Sequence, residues 1–405
     1  MERFDAVIIG GGPAGATAAI LLASAGWSVA VVEQKAFPRR KVCGEYLSTT
    51  NWPLLTRLGI AEPFLELAGP PVTETAIFAG QRQYRSGLPS VGGHFGRALS
   101  REKLDLLLIE RAAECGAQVF QPARCMRLTT QEDGFLATIE SQKESFELAA
   151  SVAISAHGSW EIGRLPTQRH ERQPRPSDWL AFKAHFTNTN LPIGLMPLLS
   201  FADGYGGMVH CDDDRASLSC CIRRHRLETL PREHGDSAGD AVLQHILKTC
   251  PILRPVLDHA ELDDSWLAAG AIQPGIRSRC QNGIFTIGNA AGEAHPVVAE
   301  GISMAMQSAW LLAERLKNHR DEVSEHSVMQ RIDASYSAGW RRAFAPRIYA
   351  ALAIAQWASR PNLVRAAHPL LATLPGLISW GARLSGKSCM VMTDRSTLLK
   401  DCYQA

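Results

Sequence analysis

The stretch DAVIIGGGPAGATAAILLASAGWSVAVVEQ, Asp5 to Gln34, decides the fold. Ala6 to Ile9 is a short apolar run suited to a parallel strand buried on both faces. Gly10, Gly12 and Gly15 follow at once in the spacing G-x-G-x-x-G: the first for a tight turn, the second for close approach to a pyrophosphate, the third for helix-to-strand packing. Pro13 and Ala14 open the helix whose free N–H groups face the phosphates. The Ala- and Leu-rich run stops at Gly26, and Ser28 to Val32 reads as a second strand. That strand ends at Glu33, 18 residues after Gly15, where a carboxylate followed by Gln34 suits a ribose hydroxyl. Strand, glycines, helix, strand and acid together predict a Rossmann-like α/β domain. They do not separate NAD from FAD, which share the adenosine diphosphate half.

The bulk properties narrow the function class. The 405 residues, 46% of them hydrophobic, suffice for two or three domains with sizeable cores. Lys plus Arg (42) nearly balance Asp plus Glu (40), so no polybasic nucleic-acid signature is present and a small-molecule ligand is expected. Ten cysteines without C-x-x-C or Cys/His ligand spacing argue against structural zinc and a disulfide framework. The opening MERFDAVIIGGG has no basic region followed by a long apolar one, which predicts a cytoplasmic protein.

A second segment, NGIFTIGNAAGEAHPVVAEGISMAMQSAWLLAERL (Asn282–Leu316), runs from a strand through a Gly-rich turn into a long helix starting near Gly301. Its layout resembles the superfamily of group A flavin monooxygenases and geranylgeranyl reductases. There a "GD" turn binds the ribityl chain of FAD, and a "P…GEGI…A" segment sets a helix N-terminus against the isoalloxazine. Gly288, Pro296, Glu300, Gly301 and Ile302 match, while Asn289 replaces the usual aspartate with an amide that still accepts a hydrogen bond. The resemblance implies FAD as cofactor and a fold of the glutathione-reductase type, similar to para-hydroxybenzoate hydroxylase. Backbone N–H groups at a helix start favour the negative charge of reduced flavin. Arg101, in SREKLDLLLIERA, fits the family arginine that reaches toward the FAD phosphates or ribityl chain.

The same resemblance gives KVCGEYLS (Lys41–Ser48) a place, because the reductases carry "CGE" there. It implies that Cys43 and Gly44 lie near the flavin ring, with Gly44 giving the backbone room and Cys43 a candidate proton donor. Lys41 is positioned to lower the thiol's pKa, and Glu45 is either a functional acid or a capping or salt-bridged one. Elsewhere the chain departs from the family. VAISAHGSW offers His157-Gly158 where the monooxygenases have "DG". In DGYGGMVHCDDDRASLSCCIRR, Gly204, Tyr205 and Gly206 match the reductases' "GYGW.FP", but Gly207 replaces the tryptophan and Val209-His210 the aromatic-proline pair. The opened space suits a ring-bearing substrate, with Tyr205 and His210 as pocket candidates. A halogenase is not expected, since neither the "WxWxIP" motif nor a matching active-site lysine segment is visible.

The expected organisation is a discontinuous FAD domain (1–70, 97–160 and 270–330) and an antiparallel substrate sheet (71–96 and 161–269), read from alternating runs such as LAFKAHFTN, with substrate between them. A C-terminal helical region covers 331–405. From Ala334 to Thr393 it has no acidic residue but carries Arg341, Arg342, Arg347, Arg360, Arg365, Arg383 and Lys387. Its apolar runs are too short to span a bilayer. The basic face is either solvated or meets an anionic carrier protein, a coenzyme A phosphate or a membrane surface.

The favoured function is an FAD-dependent monooxygenase that hydroxylates a hydrophobic aromatic or polyketide-like molecule with molecular oxygen, taking electrons from NAD(P)H. Its first rival is a flavin reductase acting on a carbon–carbon double bond, with Cys43 or a nearby acid delivering the proton. A non-catalytic FAD-binding protein is the second.

Overall fold

The computed structural model describes residues 2–373 except 143, 159–162, 164, 170 and 232–236, together with 376, 378, 381 and 386. Arg383 and Lys387 of the basic tail lie outside the described residues.

Five strands pair in parallel, in the spatial order Ile284–Thr286, Ser145–Ser155, Glu2–Ile9, Val29–Val32 and Gln118–Phe120. Ala6, Val7 and Ile8 in the central strand are fully buried, as the continuous apolar run requires when both faces are covered. The period of two divides them. Ala6 and Ile8 meet a core shared with the helices Pro13–Ala23, Arg101–Glu114 and Gly301–Leu316, while Val7 and Ile9 pack against Phe135 and Ile139 on the opposite face. The latter two belong to Gly134–Ser141, which joins the sheet antiparallel to Ser145–Ser155 and carries Ala123–Gln131 beyond it.

A second, seven-stranded sheet runs in the order Glu261–Ile272, Trp179–Thr187, Ala216–Arg223, Gly204–His210, Leu195–Phe201, Glu74–Ala79, Arg82–Gly87. It is antiparallel except where Leu195–Phe201 lies parallel to Glu74–Ala79. Phe182, Ala184 and Phe186 point to an outer core closed by Val242 and Ile246 of the helix Ala238–Thr249. The alternate residues of the same strand, Trp179, Ala181, Lys183 and His185, therefore face the nucleotide-binding domain. His210 is corrected by the same rule. It is five residues after Tyr205 on one strand, so it lands on the opposite face, and its Nε2 donates to the Leu191 carbonyl at 2.8 Å.

The C-terminal region is dominated by a 33-residue helix, His326–Ala358. Val328, Ile332, Tyr336, Trp340, Phe344, Ile348, Ala351 and Ala355 form one buried stripe at helical spacing. Tyr336 donates to the Thr286 carbonyl at 2.7 Å, and buried Arg347 donates to Gln307 Oε1 at 3.0 Å. Arg341, Arg342, Arg360 and Arg365 are exposed. Among the described residues no helix is long and apolar enough to cross a membrane.

Candidate functional site

Two adjoining cavities meet at the glycine turn. The smaller, about 190 Å³, is lined by Gly10, Gly12, Glu33, Gln34, Arg39, Lys41 and His157. The larger, about 440 Å³, is lined by Gly12, Pro13, Ala14, Lys41, Cys43, Gly44, Arg101, Tyr205, Asn289, Pro296, Gly301 and Ile302 among others. The structure thus gathers both sequence motifs, KVCGE and the Tyr205 strand around one space. Gly15 and Gly288 act behind it. A Cβ on Gly15 would stand 1.8 Å from the Gly10 carbonyl oxygen, and one on Gly288 (φ 58°) 2.8 Å from the Ala14 Cβ, so both are packing glycines that hold the cofactor segments together. His210 lines neither cavity.

The donor set fits a dinucleotide with a pyrophosphate. Glu33, buried beside the smaller cavity, is fixed by hydrogen bonds from the Gly11 N–H (2.8 Å) and the Lys35 N–H (2.9 Å). A Cβ on Gly12 would meet nothing nearer than Arg101 Nη2 at 3.6 Å, which leaves the turn open to a ligand. Where the cavities join, Lys41, Arg39 and Arg101 crowd together. Burial first, then repulsion from Arg101 and Arg39, pulls Lys41 down to about 8. The Arg39 Nε is buried without a hydrogen-bond partner. Mutually repelling cations with an orphaned donor make a site for an anion. Arg101 itself is clamped by its own helix, Nε and Nη2 each 2.7 Å from Asp105. Past the phosphate end, the helix Gly301–Leu316 presents its N-terminus to the cavity, as flavin binding requires.

His157 stands at the smaller cavity with Nδ1 donating to the Gly158 carbonyl (2.9 Å) and Nε2 3.2 Å from Thr167 Oγ1. Burial pulls it down to about 4, so it is neutral at physiological pH. Tyr205 is buried, and its hydroxyl shares a hydrogen bond with His295 Nδ1. Burial raises the Tyr205 phenol well above its ordinary range and lowers His295 to about 3, so the pair is neutral. Trp179 lies against both rings, with centroids 5.4 and 5.1 Å away.

Glu45 answers the question left open in KVCGEYLS. Its residue adopts φ 61° and is buried, and its carboxylate accepts from the Arg101 backbone N–H (2.9 Å), from Lys183 Nζ and from His185 Nε2 (2.7 Å). Burial alone would raise its pKa, but the His185 hydrogen bond, then the Lys183 charge, lower it below the usual carboxylate range. Ligand-type atoms of Glu45, His185 and Cys211 lie within 4.8 Å of one another. The Lys183 ammonium already supplies the cation there, so the cluster is not a metal centre. Sequence reasoning missed Lys183 and His185. The signal was the period of two in WLAFKAHFT, whose non-core phase carries a lysine and a histidine.

Comparison with known proteins agrees with this geometry. An FAD binding domain family model matches residues 3–334, and the chain belongs to that family. It is an FAD-dependent oxidoreductase. The chain is similar to 1H-pyrrole-2-carbonyl-[peptidyl-carrier protein] chlorinase of Pseudomonas fluorescens, 25% identical with 78% of this chain and 77% of the chlorinase covered. It is also similar to digeranylgeranylglycerophospholipid reductase 1 of Methanothermobacter thermautotrophicus, 24% identical over 78% and 77%. Among solved structures, the myxobacterial chondrochloren halogenase CndH shares the fold at TM-score 0.77, 20% identity and coverage of 98% and 96%. Halogenases therefore stand among the relatives although their tryptophan motif is absent from the chain.

Proposed function

We propose that the protein is an FAD-dependent monooxygenase that hydroxylates a hydrophobic, ring-bearing small molecule, with NAD(P)H as electron donor. The observation that carries this reading is the continuity of the larger cavity. Beyond the flavin end it passes between the second sheet and the C-terminal helices into a chamber walled by Ile77, Met196, Pro197, Leu198, Ile354 and Trp357. These described walls are apolar, so the chamber favours a hydrophobic substrate and selects by shape and apolar area.

FAD, when bound and reduced, supplies the electrons with which oxygen is activated. The protein's own contribution is positional. With FAD bound, Lys41, Arg39 and Arg101 would hold the pyrophosphate, Glu33 the ribose, and the start of the Gly301 helix would favour negative charge on the ring. Cys43 and Gly44, which line the larger cavity, would wall the ring. Tyr205, kept protonated by burial and fixed by His295, presents a neutral hydroxyl at the boundary between cofactor and substrate ends. The apolar chamber holds the substrate's ring in place for attack.

The halogenation seen in relatives is the second reading. Against it, among the described residues the cavity lining includes no ammonium group on the apolar side: Lys41 stands at the phosphate end, and Lys183 is held by Glu45. The exposed Arg360 and Arg365, just past Trp357, suit an acidic carrier protein as the partner presenting the substrate. Carrier binding that weakens with salt supports that partner, and no binding at low salt removes it. The function itself is tested by supplying NADPH, oxygen and chloride with a panel of alkylated phenols and hydroxyquinones, and weighing the products. A gain of one oxygen atom is expected. A gain of two hydrogens or of chlorine instead assigns the reductase or halogenase activity.

A further inference from the structure

The strand Trp179–Thr187 belongs to the second sheet, yet two of its side chains end on Glu45 in the KVCGE loop that lines the larger cavity. Lys183 and His185 are 1% and 0% exposed and both reach Glu45. Glu45 is the residue immediately after Cys43-Gly44. Its carboxylate also caps the backbone N–H of Arg101, and its carbonyl accepts from Leu99 N–H at 3.2 Å. A third contact comes from the neighbouring strand, in which Ser219 pairs with Lys183 and sets its Oγ 3.3 Å from where a Gly44 Cβ would lie. The sheet thus leaves little clearance at Gly44 while it bonds Glu45.

A non-glycine residue in the left-handed region is strained and persists only where its surroundings over-determine it. Here the over-determination comes from a different domain, 138 residues along the chain. We propose that Lys183 and His185 are positioning residues of the FAD site: through Glu45 they set the Cys43-Gly44 turn and the start of the Arg101 helix, so the substrate sheet fixes the shape of the cofactor cradle. The role rests on FAD binding and is independent of whether the reaction is hydroxylation, reduction or halogenation.

Removing Lys183 leaves a carboxylate buried with one cationic partner fewer, and it must take a proton or move, carrying the turn with it. Removing both charges leaves neither group unpaired. The test compares holoprotein of the wild type, Lys183→Met, Glu45→Gln and the double variant by FAD dissociation constant, flavin midpoint potential and melting temperature. Lys183→Met is expected to weaken FAD binding by about tenfold or more and shift the potential, and the double variant to recover to within about threefold of wild type. A Lys183→Met protein that melts earlier but keeps its FAD affinity within about twofold and its potential unchanged shows that the triad only joins the domains, and overturns the proposal. Should Lys183→Met fail to fold, His185→Asn is read by the same criteria, since it removes one donor and keeps the Lys183–Glu45 charge pair.

Discussion

Burial sets the charge of single residues around the cavities. Lys41 is held at about 8 by burial and by its arginine neighbours, with Asp105 and Glu33 opposing them. A pyrophosphate beside it raises that value, so cofactor binding takes up a proton once Lys41 is deprotonated. The sign follows: from neutral pH up to 8 the ammonium is already formed and FAD affinity is flat, and above pH 8 affinity falls by up to about tenfold per pH unit. Fluorescence titration from neutral to alkaline pH checks this, and Lys41→Met is expected to bind more weakly but without the slope. Tyr205→Phe strips the His295 pair of its hydroxyl and leaves a second ring nitrogen without a partner, at a cost of about 1–3 kcal/mol in stability. FAD stays bound and product formation drops, which equilibrium unfolding together with product yield will show. The motif match led to a residue on the cavity wall in Tyr205, whereas His210 falls on the opposite face, because motif reading ignores which face each strand residue occupies.

Elements explain why the cofactor cradle was readable at all. Its glycines act locally: the turn, helix and strand of Asp5–Gln34 specify one another within a short stretch, so spacing alone carries the geometry. What spacing does not carry is the fit between segments. Gly288 abuts Ala14, although 274 residues separate them in the chain. Gly288→Ala adds a methyl where 2.8 Å is available and imposes φ 58° on a residue that disfavours it, so a loss of about 2–4 kcal/mol together with lost flavin absorbance in the purified protein is expected. The long C-terminal helix was anticipated only as a helical region. Its buried stripe follows the 3.6-residue period, but nothing in its composition marks Ile354 and Trp357 as cavity wall. Trp357→Ala enlarges the chamber, and the preferred substrate is expected to shift toward longer side chains in a chain-length series of alkylphenols, with FAD affinity unchanged.

For the whole molecule, two sheets from distant parts of the chain share one cavity and are tied across it by a buried acid. Glu45 has its carboxyl below the ordinary 4.5 in the folded protein, so its stabilisation is full above that value and is lost as pH falls through the lower folded one. Acid titration of the holoprotein is expected to release FAD and lower the melting temperature below pH 4.5, and Glu45→Gln to flatten that step. None of this tie was visible in KVCGEYLS alone, because an acid's partners depend on which face of a remote strand meets it. On the proposed function, oxygen activated at the flavin end enters a substrate held at the apolar end. That transfer is tested most directly by running the reaction under heavy-isotope oxygen gas and weighing the product. One heavy oxygen atom in the product is the predicted result, and a product without heavy oxygen, formed equally well under argon, contradicts the account.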